Sequence, residues 1–393
     1  MDMVLRTGRL VGCEGVSVLE GAYIVIEGDR IADVTRSEPQ VGSYERIDLS
    51  PYTVLPGLID AHTHLAMDPF APVDTQGTDD SLGSLLLRAL LHAERALSKG
   101  TTTCRDCGAS SGIIIDLARA ERAGLLPRVP RILAAGHNIC ITGGHGHRMG
   151  READGPDEVR KAVRGELKAG ADFIKVMATG GVMTAGVEMG STQFTVEELK
   201  AASEEAHKAG KRIAAHAQAS EGILNALKAG IDTIEHGSYI NDEALSIMKD
   251  RGAFFVATLI AAVQEYEHRM ELPGFVQRKI VKHVERERDA VRRAIAAGVN
   301  MACGTDSGCP FTDHGSLPDQ MEILVALGMT PLQAIETATS GSARALGVET
   351  NVGSIKVGLL ADIIAVEGRP DEDIMHIRNL RMVIKGGRII VRE

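Results

Sequence analysis

One pattern repeats through the middle of this chain: a helical stretch stops at a glycine, and a short apolar run follows. The stops are Gly100, Gly124, Gly170, Gly210, Gly230, Gly252 and Gly298. Glycine just past the last turn is the residue that best tolerates the left-handed cap conformation. The runs that follow or alternate read as strands: Leu55–His64, Thr101–Arg105, Arg131–Ala135, Phe173–Ala178, Arg212–Ala217, Thr233–His236, Phe254–Thr258 and Val299–Cys303. Helical periodicity separates them, over Ser81–Ser98, Asp157–Lys168, Thr195–Ala209, Glu221–Ala229, Asp242–Asp250 and Phe275–Ala297. Eight strands alternating with helices predict an α/β chain folded as a (β/α)8 TIM-like barrel. A doubly wound sheet is the runner-up, but no Gly-x-Gly-x-x-Gly follows the first strand.

The two ends read differently. Leu5–Leu10, Ala22–Glu27 and Arg30–Thr35 near the start, and Ala361–Glu367, Arg381–Ile384 and Arg388–Val391 near the finish, carry strand signals with glycine turns and no long helical period. This predicts a small β-sandwich domain built from both termini, residues 1–56 and 346–393, around a barrel of residues 57–345.

In such a barrel, reactive groups collect where strands end. His62 and His64 sit two apart at the end of the first strand, so both imidazoles project from one face. Alone, an H-x-H pair is more often two ordinary histidines. Lys175 on strand four, His216 ending strand five, His236 ending strand six and Asp306 after strand eight fall at the same rim. Singly each has a bland reading: a buried histidine, a snorkelling lysine, a capping aspartate. Chance would scatter them over both ends of the strands, so the joint placement favours a divalent-metal site.

Composition narrows the class. Aromatic residues make up 3% and tryptophan is absent, which argues against base- or sugar-stacking platforms. A net charge of −10 without a long basic run argues against a nucleic-acid partner. Met1–Leu10 lacks a signal-peptide layout and no apolar stretch approaches membrane-spanning length, so the expected location is cytoplasmic, without a membrane partner. Cys13, Cys104, Cys107, Cys140, Cys303 and Cys309 are too dispersed for a disulfide framework, and Cys104-x-x-Cys107 has no second pair to complete a zinc ribbon.

With Pro-Gly-Leu-Ile-Asp ahead of His62-x-His64, then Lys175, His216, His236 and Asp306 in order, the chain resembles the amidohydrolase superfamily of metal-dependent hydrolases over nearly its whole length. The resemblance implies two divalent ions, zinc first among the candidates. It implies a Lys175 carboxylated by carbon dioxide that bridges them, with His62, His64 and Asp306 on one ion and His216 and His236 on the other. Asp306 would be ligand and proton carrier at once, serving a hydroxide that bridges the ions.

The motifs around Lys175 (Lys-Val-Met-Ala-Thr-Gly-Gly), His216 and Ile-Glu-His236-Gly-Ser-Tyr239 are similar to the branch holding imidazolonepropionase-like proteins, Xaa-Pro dipeptidases (prolidases) and carboxypeptidases. Deaminases of the superfamily place Glu three residues beyond the strand-five histidine, where this chain has Ala219. Tyr239 and His137 are candidate catalytic and substrate-binding groups, Tyr239 as donor to a developing oxyanion. His145 and Arg148, on the glycine-rich loop Thr142–Gly150, are candidate substrate contacts, Arg148 as a carboxylate clamp. The expected function is amide-bond hydrolysis in a small molecule, a dipeptide or N-acyl amino acid, by a homo-oligomer. The alternatives are a hydrolase for a non-peptide amide, carbamate, lactone or cyclic ureide, and a non-catalytic scaffold.

Overall fold

The computed structural model describes residues 2–12, 17–73 and 80–392; Cys13 lies outside them. Eight parallel strands form the centre: β1 Leu58–Thr63, β2 Thr101–Asp106, β3 Arg131–Ala134, β4 Ile174–Met177, β5 Ile213–Ala217, β6 Thr233–His236, β7 Phe254–Ala257 and β8 Asn300–Cys303. They pair in two ladders, β1–β2–β3 and β4 through β8, with Ile139–Cys140 and then Arg151–Glu152 added beside β4.

Backbone hydrogen bonds cross both gaps between the ladders. Asp172 N donates to Ala134 O at 2.8 Å on one side. On the other, Asp306 N donates to His62 O at 2.8 Å and His64 N to Ser307 O at 2.8 Å. The first strand therefore bonds to the segment that follows the last. All eight strands run the same way, which brings their C-terminal ends to one rim.

The apolar run expected as a single strand over Leu55–His64 is two. Glu45–Pro56 belongs to the terminal sheet and β1 to the centre, with the break at Gly57. A Cβ at Gly57 would lie 2.2 Å from Thr102 Oγ1, so only glycine lets the chain cross here. Its donors change partner at the same point: Gly57 N bonds Asp362 O, and Leu58 N bonds Gly100 O.

Helices line the outside. α1 (Leu82–Ser98) starts at Ser81, whose side chain accepts from Ser84 N. α2 is Ile113–Arg122 and α3 is Gly155–Ala169. α4 (Val196–Lys208) carries a capping box between Thr195 and Glu198. α5 (Ser220–Ala229), α6 (Asp242–Arg251), α7 (Leu259–Glu267) and α8 (Gly274–Ala297) follow. Their apolar faces close over the strands in one core that includes Ile174, Val176, Leu199, Ile223 and Phe255, all essentially inaccessible. Burying each such side chain stabilises the fold by about 1.5–3 kcal/mol.

The terminal strands form one eight-stranded sheet, with seven strands on a single path. It runs Arg388–Arg392, Leu380–Lys385, Ile363–Val366, Glu45–Pro56, Met3–Gly12, Tyr23–Glu27, Arg30–Thr35, with Ser17–Glu20 paired to Met3–Gly12. The C-terminal strand Ile363–Val366 pairs directly with Glu45–Pro56, so both ends of the chain build this unit. It has its own core, including Leu5, Ile24, Ile47, Ile363 and Ile384. Arg131 binds Asp362 at 2.7 Å across to it.

Candidate metal centre

His62, His64, Lys175, His216, His236 and Asp306 converge at the rim. All six line one cavity of 410 Å³. Lys175 points inward from β4, 1% exposed, with Nζ 3.4 Å from His62 Nε2. Asp306 Oδ1 lies 3.3 Å from His62 Nε2 and 3.4 Å from His64 Nε2. The ring of His236 is 5.0 Å from that of His62 and 4.8 Å from that of His216. Alanines flank His216 on β5 (Ile-Ala-Ala-His-Ala), and their small side chains leave room for these groups.

The partners of each ring fix which nitrogen carries its proton. His64 Nδ1 faces Gly108 O at 3.0 Å, and a carbonyl only accepts, so Nδ1 donates and Nε2 keeps a lone pair. His216 Nε2 donates to Gly180 O at 3.0 Å, which leaves its Nδ1 lone pair. His62 Nδ1 donates to Glu235 at 2.7 Å. His236 Nδ1 donates to Thr258 Oγ1 at 2.7 Å, while that hydroxyl donates to Glu287. Each imidazole is thus oriented by an outer partner with one nitrogen left to ligate, the arrangement typical of metal-binding histidines. Burial, and for His62 the Lys175 charge after it, holds His62, His216 and His236 well below the usual imidazole range, so they are neutral.

Asp306 Oδ1 is buried without a hydrogen-bond partner. It faces lone pairs of His62 and His64 at near-contact distance. Such an arrangement calls for positive charge among the atoms; Lys175 beside His62 supplies one unit, and a divalent ion would supply more and take the lone pairs directly. The donor set therefore fits a divalent metal, and His62, His236 and Asp306 bring ligand atoms within 4.8 Å of one another. Burial pushes the Asp306 carboxyl up, as expected of an acid whose counter-charge is an ion. His236 (φ 68°) and Asp306 (φ 56°) also hold left-handed backbone, a strain of about 1–3 kcal/mol each that the surrounding structure must offset.

Beneath the rim, Arg105 binds both oxygens of Glu235 at 2.8 Å and also donates to Ala61 O and Thr233 Oγ1. Arg105 and Glu235 are fully buried. The guanidinium holds the Glu235 carboxyl below its usual range against the opposing effect of burial. This pair, with Thr258 and Glu287, was not read from the sequence. Glu235 directly precedes His236, and strand alternation sends neighbours to opposite faces. The positive φ at His236 breaks that alternation.

His145 and Arg148 line the cavity from their loop. The His145 ring lies 4.4 Å from that of His216, its Nδ1 bonds Thr184, and burial pushes its pKa down to about 3. The structure puts two other candidates elsewhere. Tyr239 does not line the cavity: its backbone N bonds Gln218 O, and its ring lies under Arg286 of α8, 5.7 Å away. His137 turns outward after Gly136 (φ 77°); its backbone and ring nitrogens both meet Glu166, in a separate 310 Å³ cavity. Among the described residues no disulfide forms, and burial pushes the Cys107 thiol up to about 12.

The amidohydrolase family pattern matches residues 53–390. An ochratoxinase from Aspergillus niger is 31% identical over 98% of this chain and 86% of its own length. An imidazolonepropionase from Cutibacterium acnes is 28% identical over 99% of this chain and 96% of its own. The crystal structure of a Xaa-Pro dipeptidase with methionine in its active site superposes with a TM-score of 0.93 at 33% identity, covering 99% of each chain.

Proposed function

Because the chain belongs to the amidohydrolase family, we propose that it is a metal-dependent hydrolase that cleaves a carbon–nitrogen amide bond in a small substrate. The parallel strands are read as a closed (β/α)8 barrel of residues 57–345. The terminal sheet is read as a β-sandwich of residues 1–56 and 346–393. The hydrogen bonds between His62–His64 and Asp306–Ser307 support closure.

The observation that carries the reading is the unpartnered Asp306 Oδ1 facing His62 Nε2 and His64 Nε2. His62, His64 and Asp306 would hold one divalent ion, zinc by preference, and His216 and His236 a second. Lys175 would reach both as a carbamate formed with carbon dioxide. An ammonium would repel dications, whereas the carbamate is an anion. Bound ions of this kind supply Lewis acidity and make water acidic enough to react near neutrality.

The chain's own groups do the rest. Asp306 carries a proton at its carboxylate, from the attacking water to the leaving nitrogen. Arg105 and Glu235 hold His62 in register. The walled cavity keeps bulk water away, and Arg148 and His145 contact the substrate.

The substrate class is a dipeptide, Xaa-Pro or another C-terminal residue, or an N-acyl amino acid. The likeness to a Xaa-Pro dipeptidase over the full chain supports it. The protein acts on this small molecule as a cytoplasmic homo-oligomer. No described helix is long and apolar enough to cross a membrane.

Metal analysis and a substrate panel test the reading. We expect about two ions per chain, loss of turnover on chelation, and faster hydrolysis of dipeptides and N-acyl amino acids than of lactones or carbamates. Full activity of metal-free protein would refute it.

A further inference from the structure

The cavity holds one acid that the metal reading does not use. Its described carboxylates are Asp306, Glu287 and Glu265. Asp306 is assigned to the centre. Glu287 accepts from Thr258 Oγ1 at 3.2 Å and pairs with His283 at 3.0 Å. Glu265, on the inner face of α7, is 4% exposed, and no hydrogen bond or ion pair to it is found among the described residues. The cavity it lines also presents apolar side chains, among them Val182, Ala262 and Phe275. Of the chain's own groups, those whose charge acts on it are Asp306, assigned to the metal centre, and Glu287, both acids. Burial and those two acids push its carboxyl well above the usual range and favour the neutral form, whereas a ligand that set a cation beside it would favour the charged one. Gln218 Oε1, a second buried acceptor lining the cavity, also has no donor.

We propose that Glu265 is a specificity-determining residue of this site, taking a cationic nitrogen of the substrate, an amine or guanidinium. The inference rests on the reading of the cavity as an amide-hydrolase site and adds to it the charge of the substrate. The nitrogen has two possible sources in a dipeptide: the α-ammonium of the acyl-side residue, or a lysine or arginine side chain.

Metal-loaded wild type and Glu265→Gln are compared on Ala-Lys and Ala-norleucine, each free and N-acetylated. Binding of agmatine, and of a neutral alcohol of similar length, is measured by calorimetry. A charge-assisted contact predicts that the substitution lowers the ratio of kcat/KM for cationic over neutral substrates about ten-fold or more. Should the α-ammonium be the partner, the effect follows the free amino terminus whatever the side chain. Should the side chain be the partner, it follows lysine and survives acetylation. Agmatine binding falls in parallel. An unchanged ratio, or agmatine bound equally by both proteins, overturns the proposal. Hydrolysis of the neutral substrates with that unchanged ratio would leave the hydrolase reading standing. Agmatine binding that depends on Glu265, without turnover of any amide, would sink the hydrolase reading and leave the cation site standing.

Discussion

Asp306 Oδ1 and His62 Nε2 face each other at 3.3 Å without a hydrogen bond, and His62 spends its N–H on Glu235. Asp306→Asn replaces a charged ligand and proton carrier by a neutral amide of the same shape. The expected result is a fall in kcat of about 10²–10⁴-fold with reduced metal content. Elemental analysis alongside steady-state kinetics checks both. Full metal content with wild-type turnover would remove Asp306 from both roles.

Lys175→Ala removes the group proposed to reach both ions. Metal content should drop, and bicarbonate, expected to speed reconstitution of metal-free wild type, should have no such effect on the variant. Reconstitution followed with and without bicarbonate reads this out; an alanine variant indistinguishable from wild type refutes the bridge.

Glu235→Gln leaves Arg105 buried without its counter-charge and loosens the hold on His62. Breaking a buried pair costs about 3–5 kcal/mol of stability, and loss of an orienting partner weakens metal binding about 10–100-fold. Denaturant titration and competition with a metal indicator measure the two effects. Wild-type metal affinity in a folded Gln variant would limit Glu235 to a structural part.

Gly57→Ala drives a methyl into Thr102, 2.2 Å from its Oγ1. Overpacking of this kind costs about 1–3 kcal/mol. Adding Thr102→Ala removes the two nearest atoms and should recover part of the loss in Tm, the Cβ of residue 102 remaining 2.8 Å away. A tolerated single variant would show that the crossing between the two sheets does not need glycine.

Glu205 joins α4 to α3 through Arg164 at 2.8 Å, and the Arg164 hydrogen bond is the chief cause that lowers its pKa to about 2. A carboxyl depressed in the folded state contributes stability above its unfolded value, which is lost as pH falls through the folded one. Its partner is exposed, so the contribution is small. The Tm gap between wild type and Glu205→Gln should therefore be present at neutral pH and close between the ordinary value of 4.5 and about 2. A gap independent of pH would mean the ion pair contributes nothing.

The strands were legible because glycine stops and apolar runs are local signals. Each of the eight central runs contains a strand within a few residues of the expected bounds. α2 was marked only by its stop at Gly124, and α7 escaped, for local reasons as well. α2 opens on Ile113-Ile114-Ile115, which reads as strand, and α7 continues the apolar run of β7 with no side-chain cap to mark its start. Where Tyr239 and His137 lie was not legible, because sequence proximity to a strand end does not give a side chain's direction. A turn at Gly237 (φ 61°) and one at Gly136 carry them away from the cavity.

The sequence by itself determined which residue types stand at the strand ends: His62, His64, Lys175, His216, His236 and Asp306 are legible because a parallel α/β arrangement sends every strand end to one rim. Only the tertiary structure decided what surrounds them. The Arg105–Glu235 pair, the lone Glu265 and the tautomer of each histidine depend on contacts between segments far apart in the chain. Electrostatics in a buried site acts through space, and no local pattern records which distant group supplies the opposing charge or fails to.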